Sequence, residues 1–122
     1  MSAQLALEFP PTTERDRAFA FLARWPHQFR TDFAQWLEAN WHIWLAFSRE
    51  ANRIYATGRK RYAARTIIEW LRHETAIREA SAEFKINDHF TPDLARLWLA
   101  FHPERAGFFE TRHLANSVAR AA

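Results

Sequence analysis

The sequence predicts a mainly α protein: a compact single-domain helical bundle with a helix-turn-helix-like hairpin and at most a very small β element. Three observations carry that expectation. Apolar residues recur at three- and four-residue spacings along most of the chain, the period of helices that bury one face. With Gly 2 in 122 residues, the tight turns of an all-β fold have few places to form. Aromatic residues make up 16%, with Trp 6 and Phe 11, so the stripes carry enough large apolar surface for a core. A chain of this length buries such a core without disulfide or metal staples.

Residues 1–11 read as a flexible lead-in ended by Pro10-Pro11, 12–112 as the helical domain and 113–122 as a tail. Thr12 or Thr13 serves as N-cap of a helix over 14–25, with Glu14 and Asp16 in the first turn, Phe19, Leu22 and Ala23 inward, and Pro26 as the stop. Thr31 caps a short helix over 32–39 with Phe33, Trp36 and Leu37 on one side, and Asn40 separates it from the next. That third helix covers 41–57, buries Ile43, Trp44, Phe47, Ala51, Ile54 and Tyr55, and ends with Gly58 at C′.

Arg59-Lys60-Arg61 links it to a fourth helix over 62–80, whose stripe is Ala64, Ile67, Ile68 and Leu71. On its other side, Arg65–Glu69 and Glu74–Arg78 are i,i+4 pairs. Residues 81–90 read as a short strand or extended loop, with Asn87-Asp88 as a turn signal. Thr91-Pro92-Asp93 supplies an N-cap, a proline at N1 and a first-turn acid for a helix over 92–101, with Leu94, Leu97, Trp98 and Phe101 inward. Pro103-Glu104 opens a turn that Gly107 breaks, and Phe108-Phe109 anchors the end of the domain to the core.

Composition excludes several functions. Cys 0 removes disulfides, thiol catalysis and cysteine metal sites. No glycine-rich phosphate loop is present, and neither a signal peptide nor an apolar run of membrane-spanning length is visible. The expectation is a soluble protein of a reducing cytoplasm. Its formal net charge is +3, unevenly spread. Between Arg49 and Arg78, eight Arg/Lys face three Glu, a local +5, while the remainder carries −2. A basic region of this kind suits phosphate or an acidic protein surface; its structural alternative is a solvated, arginine-rich helix face.

The strongest functional signal lies there. A short glycine-containing turn between two helices is what a helix-turn-helix needs, with the second helix entering the major groove. Arg59, Lys60 and Arg61 are placed to hold phosphates, with Arg65 and Arg72 (and Glu69 between them) placed for bases or further phosphates. The 84–90 stretch would act as a wing. The same turn also occurs in helical hairpins where the charge serves only solubility.

Other signals are weaker. Glu83-Phe84-Lys85 has the Glu-x-Lys form of some metal-dependent nucleases, with Asp88 or Glu79 as a further acid, but so short a match is common. The histidines at 27, 42, 73, 89, 102 and 113 include no i,i+3 or i,i+4 pair, so no zinc motif is proposed. Ser48, Ser81 and Ser117 lie in no nucleophile context. Trp25, Trp36, Trp41 and Trp70 exceed what one stripe can hide, which leaves room for an exposed aromatic patch and a homodimer.

Residues 33–112, through GRKRYAARTIIEWLRHET, FKINDHFTPDLARLW and HPERAGFFETR, resemble a family of small uncharacterised bacteriophage and prophage proteins. The family tends to have serine at Ala63 and proline at Trp41. The resemblance implies a phage setting and two kinds of task, nucleic-acid handling or interference with a host protein, and it implies no activity, cofactor or catalytic residue. The expected function is therefore a non-enzymatic, cofactor-free regulator that binds nucleic acid, DNA foremost. The alternatives are a protein-binding inhibitor of a host factor, such as a defence complex, and a homo-oligomeric assembly component.

Overall fold

The computed structural model describes residues 13–74 and 88–111. Helix α1 spans Glu14–Arg24, α2 Phe33–Ala39, α3 Trp41–Ala56, α4 Ala64–Arg72 and α5 Thr91–Phe101. One-turn 3₁₀ segments at Pro26–Gln28, Asp88–Phe90 and Pro103–Arg105 join or follow them. Among the described residues there is no strand, and the chain is mainly helical, as its periodicity predicts.

Local signals set several of the helix ends. Thr13 is the N-cap of α1, where its Oγ1 accepts the Asp16 N–H at 3.0 Å. Trp25 closes that helix before Pro26, which cannot continue it. Asn40 divides α2 from α3, and its Nδ2 donates to the Trp36 carbonyl at 2.9 Å. Gly58, at φ +95°, takes the left-handed position after α3, where its N–H donates to the Tyr55 carbonyl.

The core forms where the helical stripes meet. From α3 it takes Ile43, Trp44, Phe47, Ala51 and Ile54; from α4, Ile67, Ile68 and Leu71; from α5, Leu94, Leu97 and Trp98. Helix α4 packs against both α3 and α5, and α1 packs against α5. Phe108 and Phe109 are buried beside Trp98, so the turn after α5 is held by its rings, as expected.

Several sequence expectations are corrected. Helix α4 begins at Ala64, because Tyr62 and Ala63 are not helical: the Tyr62 N–H donates to the Phe108 carbonyl, and Ala63 is extended. It ends at Arg72, eight residues short of the predicted end. His73 is its C-cap and Glu74 is outside the helix, while 75–80 of the predicted helix lie outside the described residues.

Thr91 is not the cap of α5 but its first residue. The 3₁₀ turn 88–90 runs straight into the helix, and Phe90 takes the N-cap place without a side-chain bond. Asp32 rather than Thr31 precedes α2, also without a side-chain cap. Ala23 is exposed, its expected inward place in α1 being taken by Ala18 with Leu22. Residues 88–90 form a 3₁₀ turn, not a strand; the rest of the predicted strand, the lead-in, the tail and the Glu74–Arg78 pair's second member lie outside the described residues.

Candidate functional site

The link between α3 and α4 carries the three adjacent cations Arg59, Lys60 and Arg61, all exposed. At residues 57–63 it is longer than the turn of about three or four residues in a helix-turn-helix. The hairpin exists, since α3 packs on α4, but the connection is a braced loop instead of a tight turn. Its first brace is Gly58. The second is Tyr62, whose backbone is bound to Phe108 at 2.9 Å and whose ring stacks on the Phe108 ring at 6.5 Å. The Arg59 guanidinium lies 5.1 Å from the Tyr62 ring centroid, a cation–π contact that steadies it at the surface.

Helix α4 starts without a capping side chain, because Ala63 stands at the N-cap. Its first backbone N–H groups therefore lack a side-chain acceptor, and Lys60, Arg61 and Arg65 are its nearest cations in the chain. Together they make a setting that favours an anion. Ala64, Ile67, Ile68 and Leu71 turn inward, which leaves Arg65 exposed and Arg72 half-buried along one flank. Glu69 lies between them and is paired with Arg72 at 2.8 Å. Arg72 is thus committed to a neighbouring acid, whereas none of Arg59, Lys60 and Arg61 has an ion pair with a described acid. Arg61 belongs to the loop, as its place in the Arg59-Lys60-Arg61 link predicts.

The four surplus tryptophans divide. Trp36 tilts against Phe90 at 5.0 Å and Trp41 stacks on Phe19 at 6.4 Å, so both are half-buried against the core. Trp25 is 37% exposed and Trp70 is 44% exposed. Leu45, on the solvent side of α3, is 40% exposed.

A second polar cluster escaped the sequence reading. The Asp93 side chain is fully buried in the first turn of α5, where its Oδ1 accepts the Arg30 backbone N–H at 3.0 Å. The Arg30 guanidinium lies 3.4 Å from Oδ2 and that of Arg96 lies 4.0 Å from Oδ1. Arg30 also donates to the His89 carbonyl at 3.0 Å. Burial pushes the Asp93 carboxyl above its usual range, against the pull of Arg30, Arg96 and His89. Burial likewise lowers the Arg96 guanidinium. The cluster clamps the 26–32 segment onto the start of α5. Its partners stand 63 residues apart, and no local pattern announces them.

Arg105 forms a comparable latch: it lies 4.2 Å from the Tyr55 ring centroid and donates to Asn52 Oδ1, which also accepts the Trp98 indole N–H. His102 beside it has a lowered pKa, from burial first and then from Arg105.

Among the described residues no group of three or more His, Cys, Asp or Glu could hold a metal ion. Glu79, Glu83 and Lys85 of the nuclease-like match, the Phe84 wing, His113, Ser81 and Ser117 lie outside the described residues, and Asp88 sits in a 3₁₀ turn. Ser48 is buried on α3. No described helix is long and apolar enough to cross a membrane. No family model, curated protein or solved structure matches the chain.

Proposed function

We propose that this chain is a small non-enzymatic regulator that binds nucleic acid, DNA foremost, through the loop 57–63 and the start of α4. The observation that carries the reading is an uncapped helix start set among exposed cations. Lys60, Arg61 and Arg65 flank it, and Arg59 is steadied on Tyr62. Helix-terminal N–H groups and neighbouring cations are what a phosphate recognises, and the Phe108 anchor holds the loop without spending its cations on acids. Arg59, Lys60 and Arg61 are assigned to phosphates; Arg65, and Arg72 where it leaves Glu69, are assigned to further phosphates or bases. The resemblance to phage and prophage proteins adds the setting in which such a regulator would act.

The test is a fluorescence-anisotropy titration of labelled duplex DNA at two salt concentrations, beside an Arg59/Lys60/Arg61 charge-reversal variant. Salt-sensitive binding that is lost in the folded variant supports the assignment. Absence of binding at low salt would refute it.

One observation favours a second reading. Trp70 places an exposed indole on the same helix as Arg65, and tryptophan with arginine dominates protein–protein hot spots. Docking to a host protein, or to a second copy of the chain, would use the Trp70 flank of that helix. A partner retained from nuclease-treated extract supports that reading over nucleic acid.

A further inference from the structure

We infer that the chain reads only the phosphate backbone, so that its ligand is nucleic acid of any sequence and α4 is not a recognition helix. The inference rests on the nucleic-acid reading above and narrows its substrate class.

The positive charge of the described residues is concentrated in one place. They carry thirteen Arg and Lys against eleven Asp and Glu; without Arg59, Lys60 and Arg61 the balance is ten against eleven. The loop 57–63 holds these three cations and no acid. Acids of the segments it adjoins do not cancel it. Glu50 pairs with Arg53 at 2.6 Å on α3, Glu69 with Arg72 at 2.8 Å on α4, and Glu104 with Arg105 at 3.3 Å after α5. Glu74 and Glu110 remain, and with Arg65 counted the cations still outnumber them four to two.

A polyanion therefore meets the molecule at this loop. Gly58 shapes one end of it, and the Tyr62–Phe108 backbone bond holds the other. The three cations are thus carried on a braced backbone, which lowers the ordering cost of binding.

A recognition helix needs more. In the major groove it lies between two walls of phosphate and directs side chains at base edges. From Arg65 to Glu74 the chain has two cations and two acids, so groove entry would neutralise no net charge and would bring Glu69 close to phosphate. Arg72, the other arginine of that helix, is already held by Glu69. The seven-residue link before α4 also departs from the turn that seats a recognition helix. Contacts to phosphate carry no sequence information, so the loop gives affinity without a preferred site, and Arg65 is left to phosphate alone.

The experiment selects bound DNA from a randomised duplex pool over several rounds and sequences it, beside anisotropy titrations of the starting pool across a salt series. The proteins are the full chain, Arg59→Ala/Lys60→Ala/Arg61→Ala, Lys60→Ala and Arg65→Ala, each checked for helix content by circular dichroism. The expected result is salt-sensitive binding with no enriched motif. The triple variant should flatten the slope of log affinity against log salt by about 2.7, and Lys60→Ala by about 0.9, the value of one phosphate. Lys60→Ala changes a single exposed side chain, so it keeps the test open if the triple variant folds poorly.

An enriched motif overturns the inference and leaves nucleic-acid binding standing; its loss in Arg65→Ala would assign base reading to α4. A slope unchanged in both loop variants, with no motif, overturns it too, because the backbone would then be held elsewhere. Absence of binding to the pool by the parent chain at low salt refutes this inference and the nucleic-acid reading together.

Discussion

Tyr62 and Phe108 hold each other twice: the Tyr62 N–H donates to the Phe108 carbonyl at 2.9 Å, and their rings stack with planes 13° apart. The contact joins the basic loop to the turn after α5 and sets where α4 can begin. Phe108 also meets Tyr55, Trp98 and Phe109, so its ring closes one end of the core. Phe108→Ala is expected to cost about 3–5 kcal/mol of folding stability, the usual range for a buried phenylalanine. Chemical denaturation would measure it. A loss below about 1 kcal/mol would mean that the C-terminal turn is not part of the cooperative core.

A buried indole depends on an exposed acid. Trp44 has no solvent exposure, and its Nε1–H donates to Glu14 Oε2 at 2.7 Å, from the first residue of α1. Glu14→Ala leaves that donor without its acceptor and should cost about 1–3 kcal/mol. Glu14→Gln keeps an oxygen in reach and should recover most of the loss. Equal destabilisation by both variants would assign the effect to charge at the helix start and not to the bond.

Gly58 sits at φ +95° with open space around its Cα. Crowding is thus absent, and only backbone conformation opposes a side chain. Gly58→Ala should cost about 1–2 kcal/mol through the left-handed penalty, with Gly58→Asn milder because asparagine tolerates that region. Thermal melts of the two variants decide it; a neutral alanine would show that the loop can be re-routed.

Asp93 gives an unusual pH dependence. Its carboxyl binds a proton more readily in the folded chain than in the unfolded one, because burial outweighs its arginine partners. Between the ordinary carboxylate range and this raised pKa the folded state carries more proton, so its contribution to stability falls as pH rises. Asp93→Asn removes the titration while retaining an acceptor for the Arg30 N–H. The stability difference between variant and parent should therefore move in the variant's favour as pH rises through that window. Melting temperatures at a series of pH values would show it, and a constant difference would rule it out.

Lys60 is exposed and without a described acidic partner, so Lys60→Glu should leave the melting temperature nearly unchanged. If it contacts phosphate, the variant binds all DNA sequences more weakly and flattens the salt dependence by about one unit of slope or more. An unchanged slope would remove Lys60 from the interface.

Helix α3 was legible because Ile43, Trp44, Phe47, Ala51 and Ile54 repeat at helical spacing and Gly58 marks the end. The end of α4 was harder to place: no glycine or proline stands at His73, and local propensity alone does not mark it as the cap. The fates of the tryptophans were equally non-local. Trp36 is covered by Phe90 and Trp41 by Phe19, rings from other elements, while nothing in the immediate sequence separates them from Trp70. The basic loop itself was visible in the residue order. Its attachment to Phe108, and the Arg30–Asp93 clamp, depend on contacts between distant segments that periodicity does not encode.

The stacked rings also give the molecule an optical signature. Trp41 and Trp44 tilt against each other at 6.3 Å, Trp44 stacks on Phe101, and Trp98 meets Tyr55, Phe108 and Phe109. Rings fixed in such asymmetric contact produce a strong near-ultraviolet circular dichroism band, which fades when packing loosens even if the helices persist. The band therefore separates two states that helix content alone would confuse, a natively packed variant and a collapsed helical one.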